Sequence, residues 1–183
     1  MRGFLFFLCL SGLLLACQNS APASEQGAET GVTTANQPPQ NPNQELRIVL
    51  GDQTVQNGQQ VCVEVEVHQF QQIMSMQYTL HWDPAVLRFD EVKGMNLKDL
   101  SANNFGTNAA DQGRLTFSWF DQDLKSISLP DGSKIYQVCF TAVGQSGSQS
   151  PLYIDGNPVV IEISNAAGEV IGFAARRARV SIP

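Results

Sequence analysis

Few side chains in this sequence are spaced for chemistry. Histidine occurs only at His68 and His81, and no cysteine, histidine or carboxylate around them has the spacing of a metal site. Glu64 and Glu66 share one face of an extended segment, which makes a carboxylate pair. Glycoside hydrolysis needs a cleft and a separate acid, and solvated alternation accounts for the two better. Asp83, Asp121 and Asp123 offer oxygens that calcium favours, but without the spacing of an EF-hand loop. No serine stands in the context of a nucleophile elbow. The chain is therefore expected to be non-catalytic and to carry no cofactor or metal.

The cysteines are more informative. The first residues, M-R-G-F-L-F-F-L-C-L-S-G-L-L-L-A-C, place Arg2 before an apolar run that contains Cys9 and ends in Leu14-Leu15-Ala16-Cys17. The run is too short for a comfortable bilayer span, which takes about 20 residues. Its ending has the spacing of a lipobox, where a signal peptide is cut before a cysteine that receives lipid. Residues 1–16 are expected to be a lipoprotein signal peptide and Cys17 the lipidation site. Two acyl chains on that cysteine would suffice for stable anchoring. Gln18 is not an aspartate-type retention signal for an inner membrane, so an outer-membrane or cell-surface location is expected. In such an exported protein the remaining thiols, Cys62 and Cys139, tend to oxidise. Each lies on the polar side of an alternating segment, and a Cys62–Cys139 disulfide is expected if the two strands are neighbours.

Charge narrows the partners. The formal net charge of −6 becomes −7 when Arg2 leaves with the signal, so nothing draws the chain to nucleic acid or to an anionic bilayer surface. Contact with a membrane is expected through the N-terminal lipid alone. Arg176, Arg177 and Arg179 form the one basic cluster and are read first as solvated positions flanking a last strand, with a phosphate or partner site as the second reading.

These residues need elements to hold them. Residues 17–44 are polar, with Pro38, Pro39 and Pro42 near their end and Val32 as the one sizeable aliphatic. Such a stretch cannot offset its own ordering entropy and is expected to be a disordered tether. From residue 45 to 183 the pattern is strand after strand. Val61, Val63, Val65 and Val67 alternate with polar residues, as do Met76, Tyr78, Leu80 and Trp82, then Leu115, Phe117 and Trp119, then Tyr136, Val138 and Phe140. Asn57-Gly58, Asp83-Pro84, Asp111-Gln112-Gly113, Pro130-Asp131-Gly132 and Asn157-Pro158 punctuate the runs. Short strands at this spacing indicate an all-β sandwich or barrel.

The order of these elements resembles the cohesin domain, the receptor module that binds dockerin modules. Trp82-Asp83-Pro84 followed by Val86-Leu87 carries the resemblance most strongly. Gly113-Arg114-Leu115-Thr116-Phe117-Ser118-Trp119 and Asp131-Gly132 with Ile135, Val138 and Phe140 extend it over residues 45–183. The family usually has tyrosine where Trp82 stands. The resemblance implies a nine-stranded jelly-roll sandwich of two antiparallel sheets. It also implies that the strands of Cys62 and Cys139 are neighbours, which fits the expected disulfide. The opposite sheet would be the dockerin-binding side, and its outward residues would be Gln77, Thr79, His81, Thr116, Ser118 and Phe120. Phe120 stands out, because Leu115, Phe117 and Trp119 already fill the core side. A carbohydrate-binding module for a polysaccharide is the second reading, since the two share an architecture. It is ranked lower because Trp82 and Trp119 alternate inward. A structural adhesion component is the third.

Overall fold

The computed structural model describes residues 39–183. The signal peptide, the Cys17 lipid site and most of the expected tether lie outside the described residues. Twelve strands follow one another: β1 Gln40–Leu50, β2 Gln53–Thr54, β3 Gln60–His68, β4 Ile73–His81, β5 Leu87–Lys93, β6 Phe105–Gly106, β7 Arg114–Phe120, β8 Ser133–Ala142, β9 Gln149–Asp155, β10 Glu162–Asn165, β11 Val170–Arg176 and β12 Ala178–Ser181. Single 3₁₀ turns at Ala102–Asn104 and Ala110–Gln112 precede β6 and β7. Among the described residues, no helix is long and apolar enough to cross a membrane.

The strands form the two layers of a sandwich. One layer runs β5–β8–β3–β1–β11. In the other, β7 pairs with β6 on one edge and β4 on the other, and the far edge of β4 takes β10 beside its first half and β9 beside its second. Strand β12 then joins β9, and β2 joins β12. The strand count exceeds nine in part because long edges are interrupted. Residues 156–161 separate β9 from β10. Arg177 separates β11, which pairs with β1 in the first layer, from β12, which pairs with β9 in the second. Two pairings, β1 with β11 and β2 with β12, are parallel, and the others are antiparallel. The domain also begins earlier than residue 45. Asn41 donates to Glu169 at 2.9 Å, and Gln44 donates to the Gln71 carbonyl at 2.6 Å, so residues 40–44 belong to β1 and not to the tether.

The core forms where the alternation places it. Met76, Tyr78, Leu80 and Trp82 face Val63, Val65, Val67, Tyr136, Val138 and Phe140 across the layers, all buried. Tyr78 and Tyr136 meet with hydroxyls 2.7 Å apart, which satisfies both polar atoms at the centre of the core. Burial pushes the pKa of both phenols well above the usual tyrosine range.

The Asp83-Pro84 corner is closed by its own groups. The Asp83 carboxylate accepts from the Ala85 amide at 2.9 Å, and its carbonyl accepts from Val86 and Leu87. The Trp82 amide donates to the Gly113 carbonyl at 3.0 Å. Gly113 is left-handed, with φ 74°, and a Cβ there would run into the Trp82 carbonyl. The corner and the start of β7, far apart in sequence, are thus one docking point, and it sets the register of β7 against β4.

Cys62 lies directly opposite Cys139 in the β3–β8 ladder, and the two are joined by a disulfide with Cα atoms 4.0 Å apart. Both are on the polar side of their strands, as the alternation indicates. Cys139 is nevertheless fully buried, because β8 lies between β3 and β5.

Candidate functional site

The side of β4 and β7 turned away from the core is a mixed surface. Ser75 opposes Phe120, Gln77 opposes Ser118, Thr79 opposes Thr116 and His81 opposes Arg114. Phe120 is 55% exposed, as its place outside the Leu115–Phe117–Trp119 series requires. Ser118 is exposed, and its carbonyl accepts from the Asn104 side chain at 2.8 Å. Thr116 is half-buried beside Gly106 of β6. Gln77 is half-buried and donates to the Val160 carbonyl at 3.2 Å. Ser75 meets Ser164 of β10 at 2.7 Å between hydroxyls.

Two of the six expected contact residues are not open. Thr79 is fully buried and His81 is 8% exposed. Alternation turns both outward, as expected, but it says nothing of what packs on that side. Residues 156–161 pass over the middle of the face, and the Val159 amide donates to the Thr79 hydroxyl at 3.3 Å. His81 lies against Tyr153 of β9, ring centroids 4.9 Å apart and planes within 10°, with its Nε2 2.7 Å from Asp155 Oδ1. The open part is therefore Ser75, Gln77, Ser118 and Phe120, with Thr116 at its margin.

Val160 joins this surface. It is 66% exposed at the edge opposite Phe120. The run Val159-Val160-Ile161 reads in the sequence as the start of a strand. Ladder pairing begins only at Glu162, and the run instead forms the crossing segment. Phe120 and Val160 thus flank a polar strip of Ser75, Gln77 and Ser118. Apolar anchors beside hydrogen-bonding groups are the make-up of a protein contact surface.

The end of β7 is held by an ionic clamp. Lys98 Nζ lies 2.6 Å from Asp121, 2.7 Å from Asp99 and 3.1 Å from Asp123. Its bonds to Asp121 and Asp99 push the lysine above its usual range, and Lys98 in turn holds both carboxyls below theirs. Asp121 also accepts from the Lys125 amide, and the Trp119 indole donates to the Lys98 carbonyl at 2.7 Å. Two of the carboxylates considered for calcium, Asp121 and Asp123, therefore surround an ammonium group, and the third, Asp83, is used in the corner. Among the described residues, no group of three or more His, Cys, Asp or Glu side chains could hold a metal ion. The clamp fixes the loop that follows Phe120 and so fixes where the aromatic leaves the sheet.

The sequence model of the cohesin domain family matches residues 46–169. The chain belongs to the cohesin domain family. Solved cohesins share its fold at low identity. The seventh ScaB type I cohesin of Pseudobacteroides cellulosolvens is 17% identical, with a TM-score of 0.63 over 75% of this chain and 92% of that one. The cohesin of a type I cohesin–dockerin complex from Clostridium thermocellum is 11% identical, with a TM-score of 0.64 over 76% and 99%. A non-cellulosomal cohesin from the archaeon Archaeoglobus fulgidus is 18% identical, with a TM-score of 0.60 over 76% and 91%. No curated protein matches the sequence. The Trp82-Asp83-Pro84 corner and the Gly113–Trp119 segment both fall within the matched residues. In this cohesin the sheet with an outward aromatic is the one built from β4, β7, β9 and β10.

Proposed function

We propose that this chain is a non-catalytic receptor module, held at an outer membrane or cell surface by lipid on Cys17, that captures a dockerin-like module of an exported protein. Membership of the cohesin family supports a protein partner. The cohesin from Clostridium thermocellum was solved in complex with a dockerin, and so was one from Acetivibrio cellulolyticus. The observation that carries the reading for this chain is Phe120, a large aromatic left 55% exposed on the β4–β7 face. An exposed aromatic costs a lone domain solubility, and burying it on a partner supplies binding energy. The contact residues are Phe120, Ser118, Gln77 and Thr116 together with Val160 and Ser75. Thr79 and His81 support them from beneath. Trp82 and Trp119 are buried, so neither offers the flat stacking platform that polysaccharide capture would use.

The test is titration of the full chain, in detergent, with a panel of purified dockerin modules from the same organism. Saturable one-to-one binding by at least one member is expected. No binding by any member, with capture of an insoluble polysaccharide instead, would overturn the reading. Metabolic labelling with palmitate tests the tether: the wild-type chain takes the label and Cys17→Ala does not.

A further inference from the structure

At the end of the second layer far from Gln40, a row of side chains crosses the outward surface at one level. Arg114 of β7 opposes His81 of β4, and His81 opposes Tyr153 of β9. Arg177, at the switch from β11 to β12, lays its guanidinium over Tyr153, 5.1 Å from the ring centroid. The row reads guanidinium, imidazole, phenol, guanidinium. Its middle is fixed, because Asp155 holds the imidazole at 2.7 Å and the same oxygen accepts from the Asn157 amide. Arg179 follows one level on, opposite Pro151. Beside Arg177 and Arg179 opens a groove of about 610 Å³, lined also by Asp52, Thr54, Pro151 and Ser181.

The ion pairs of the domain single out these arginines. Arg47 pairs with Glu45, Arg88 with Asp90 and Arg176 with Asp52. Among the described residues, Arg114, Arg177 and Arg179 are the arginines with no carboxylate within ion-pair distance, and all three border this row. Arg114 is bonded to the neutral Gln112 side chain. The carboxylates nearby are engaged: Asp155 by His81, and Asp52 by the Arg179 amide at 2.8 Å and by Arg176. On a chain of net charge −6, three unpaired guanidinium groups at one end of one face are a local reversal of sign.

We propose that this row is an anion-recognition strip that takes the carboxylates of an acidic segment on the partner protein, extending the contact surface beyond Phe120. Guanidinium forks match carboxylates in geometry as well as charge. An acidic polysaccharide fits less well. Tyr153 is packed between His81 and Arg177, so its ring has no free face for a sugar. The inference rests on the β4–β7 face being the partner surface.

The probe is a hexaglutamate peptide added to the full chain in detergent, followed by NMR of the arginine Nε–Hε signals. Saturable movement of Arg114, Arg177 and Arg179 is expected, with Arg47 and Arg88 still and a hexaglutamine control inert. R177Q with R179Q should weaken the peptide by about tenfold. Raising salt from about 20 mM to about 500 mM should weaken it further. No movement, equal movement at every arginine, or movement with polygalacturonate and not with the peptide would overturn the proposal. The two readings separate cleanly. A dockerin captured equally by wild type and by the R177Q/R179Q variant defeats the strip and leaves the receptor function. A strip that binds hexaglutamate in a chain that captures no dockerin defeats the receptor function alone.

Discussion

Phe120 and Tyr78 mark the two sides of the second layer and respond differently to substitution. Phe120→Ala removes an exposed ring, so unfolding free energy should move by no more than about 0.5 kcal/mol. Affinity for a dockerin partner should fall by roughly 10- to 100-fold in a calorimetric titration. Tyr78→Phe does the reverse. It leaves the Tyr136 hydroxyl buried without its 2.7 Å partner and should cost about 1–3 kcal/mol in a denaturant titration, with binding unchanged. Both placements, Tyr78 inward and Phe120 outward, were legible in the sequence, because strand alternation sorts side chains by face with a period of two. What alternation does not report is cover. Thr79 and His81 are outward by the same rule, yet Val159 and Tyr153 close over them. Those partners lie over 70 residues later in the chain, and no local pattern links them.

At the level of elements, β3 and β8 are the pair that the sequence resolves best. Cys62 and Cys139 on the polar sides of two valine- and aromatic-rich strands pointed to one bridge, and the strands are neighbours with the cysteines in register. The bridge closes a loop of 77 residues. Replacing both cysteines with alanine should lower stability by about 4–5 kcal/mol by loop-closure entropy, read as a shift of the denaturation midpoint that reductant reproduces in the wild type. The strands after residue 149 were less legible. Val159-Val160-Ile161 has strand composition but follows Pro158 and carries the crossing over β4, and β11 and β12 divide at Arg177 to serve different layers. Composition cannot show a change of layer, since apolar residues occur in both halves. The Lys98 clamp was missed for a related reason: its carboxylates come from two loops separated by β6 and β7. Lys98→Met should leave Asp121 buried without its cation, lower the melting temperature, and weaken dockerin binding by loosening the loop after Phe120.

For the molecule as a whole, the ionisable groups set a stability plateau with two limbs. Tyr78, Tyr136 and Lys98 bind their protons more tightly folded than unfolded. Their contribution is complete below the ordinary values of 10.0 for tyrosine and 10.5 for lysine and declines as pH rises beyond them. Asp99, Asp121 and Glu169 are held below their ordinary values of 3.8, 3.8 and 4.5. Their contribution is present above those values and is lost as pH falls through the lowered ones. Melting temperature against pH should therefore be flat between about pH 5 and about pH 9.5 and fall on both sides. Tyr78→Phe should make the alkaline limb shallower, and Lys98→Met should soften both limbs. The whole fold also gives the two ends of the β4–β7 face different surroundings. Gln40 pairs with Val170, beside the β10–β11 turn and the start of β4. Phe120, opposite Ser75, is nearer the start of β1, and the arginine row lies at the other end of β4. The central claim, that the β4–β7 side is the one that receives a partner, is tested most directly by comparing Ser118→Arg on that side with Gln137→Arg on the β3–β8 side, in titrations with the same purified dockerin module. Loss of binding in Ser118→Arg with wild-type affinity in Gln137→Arg is the expected result; the reverse pattern, or equal affinity for both, would contradict it.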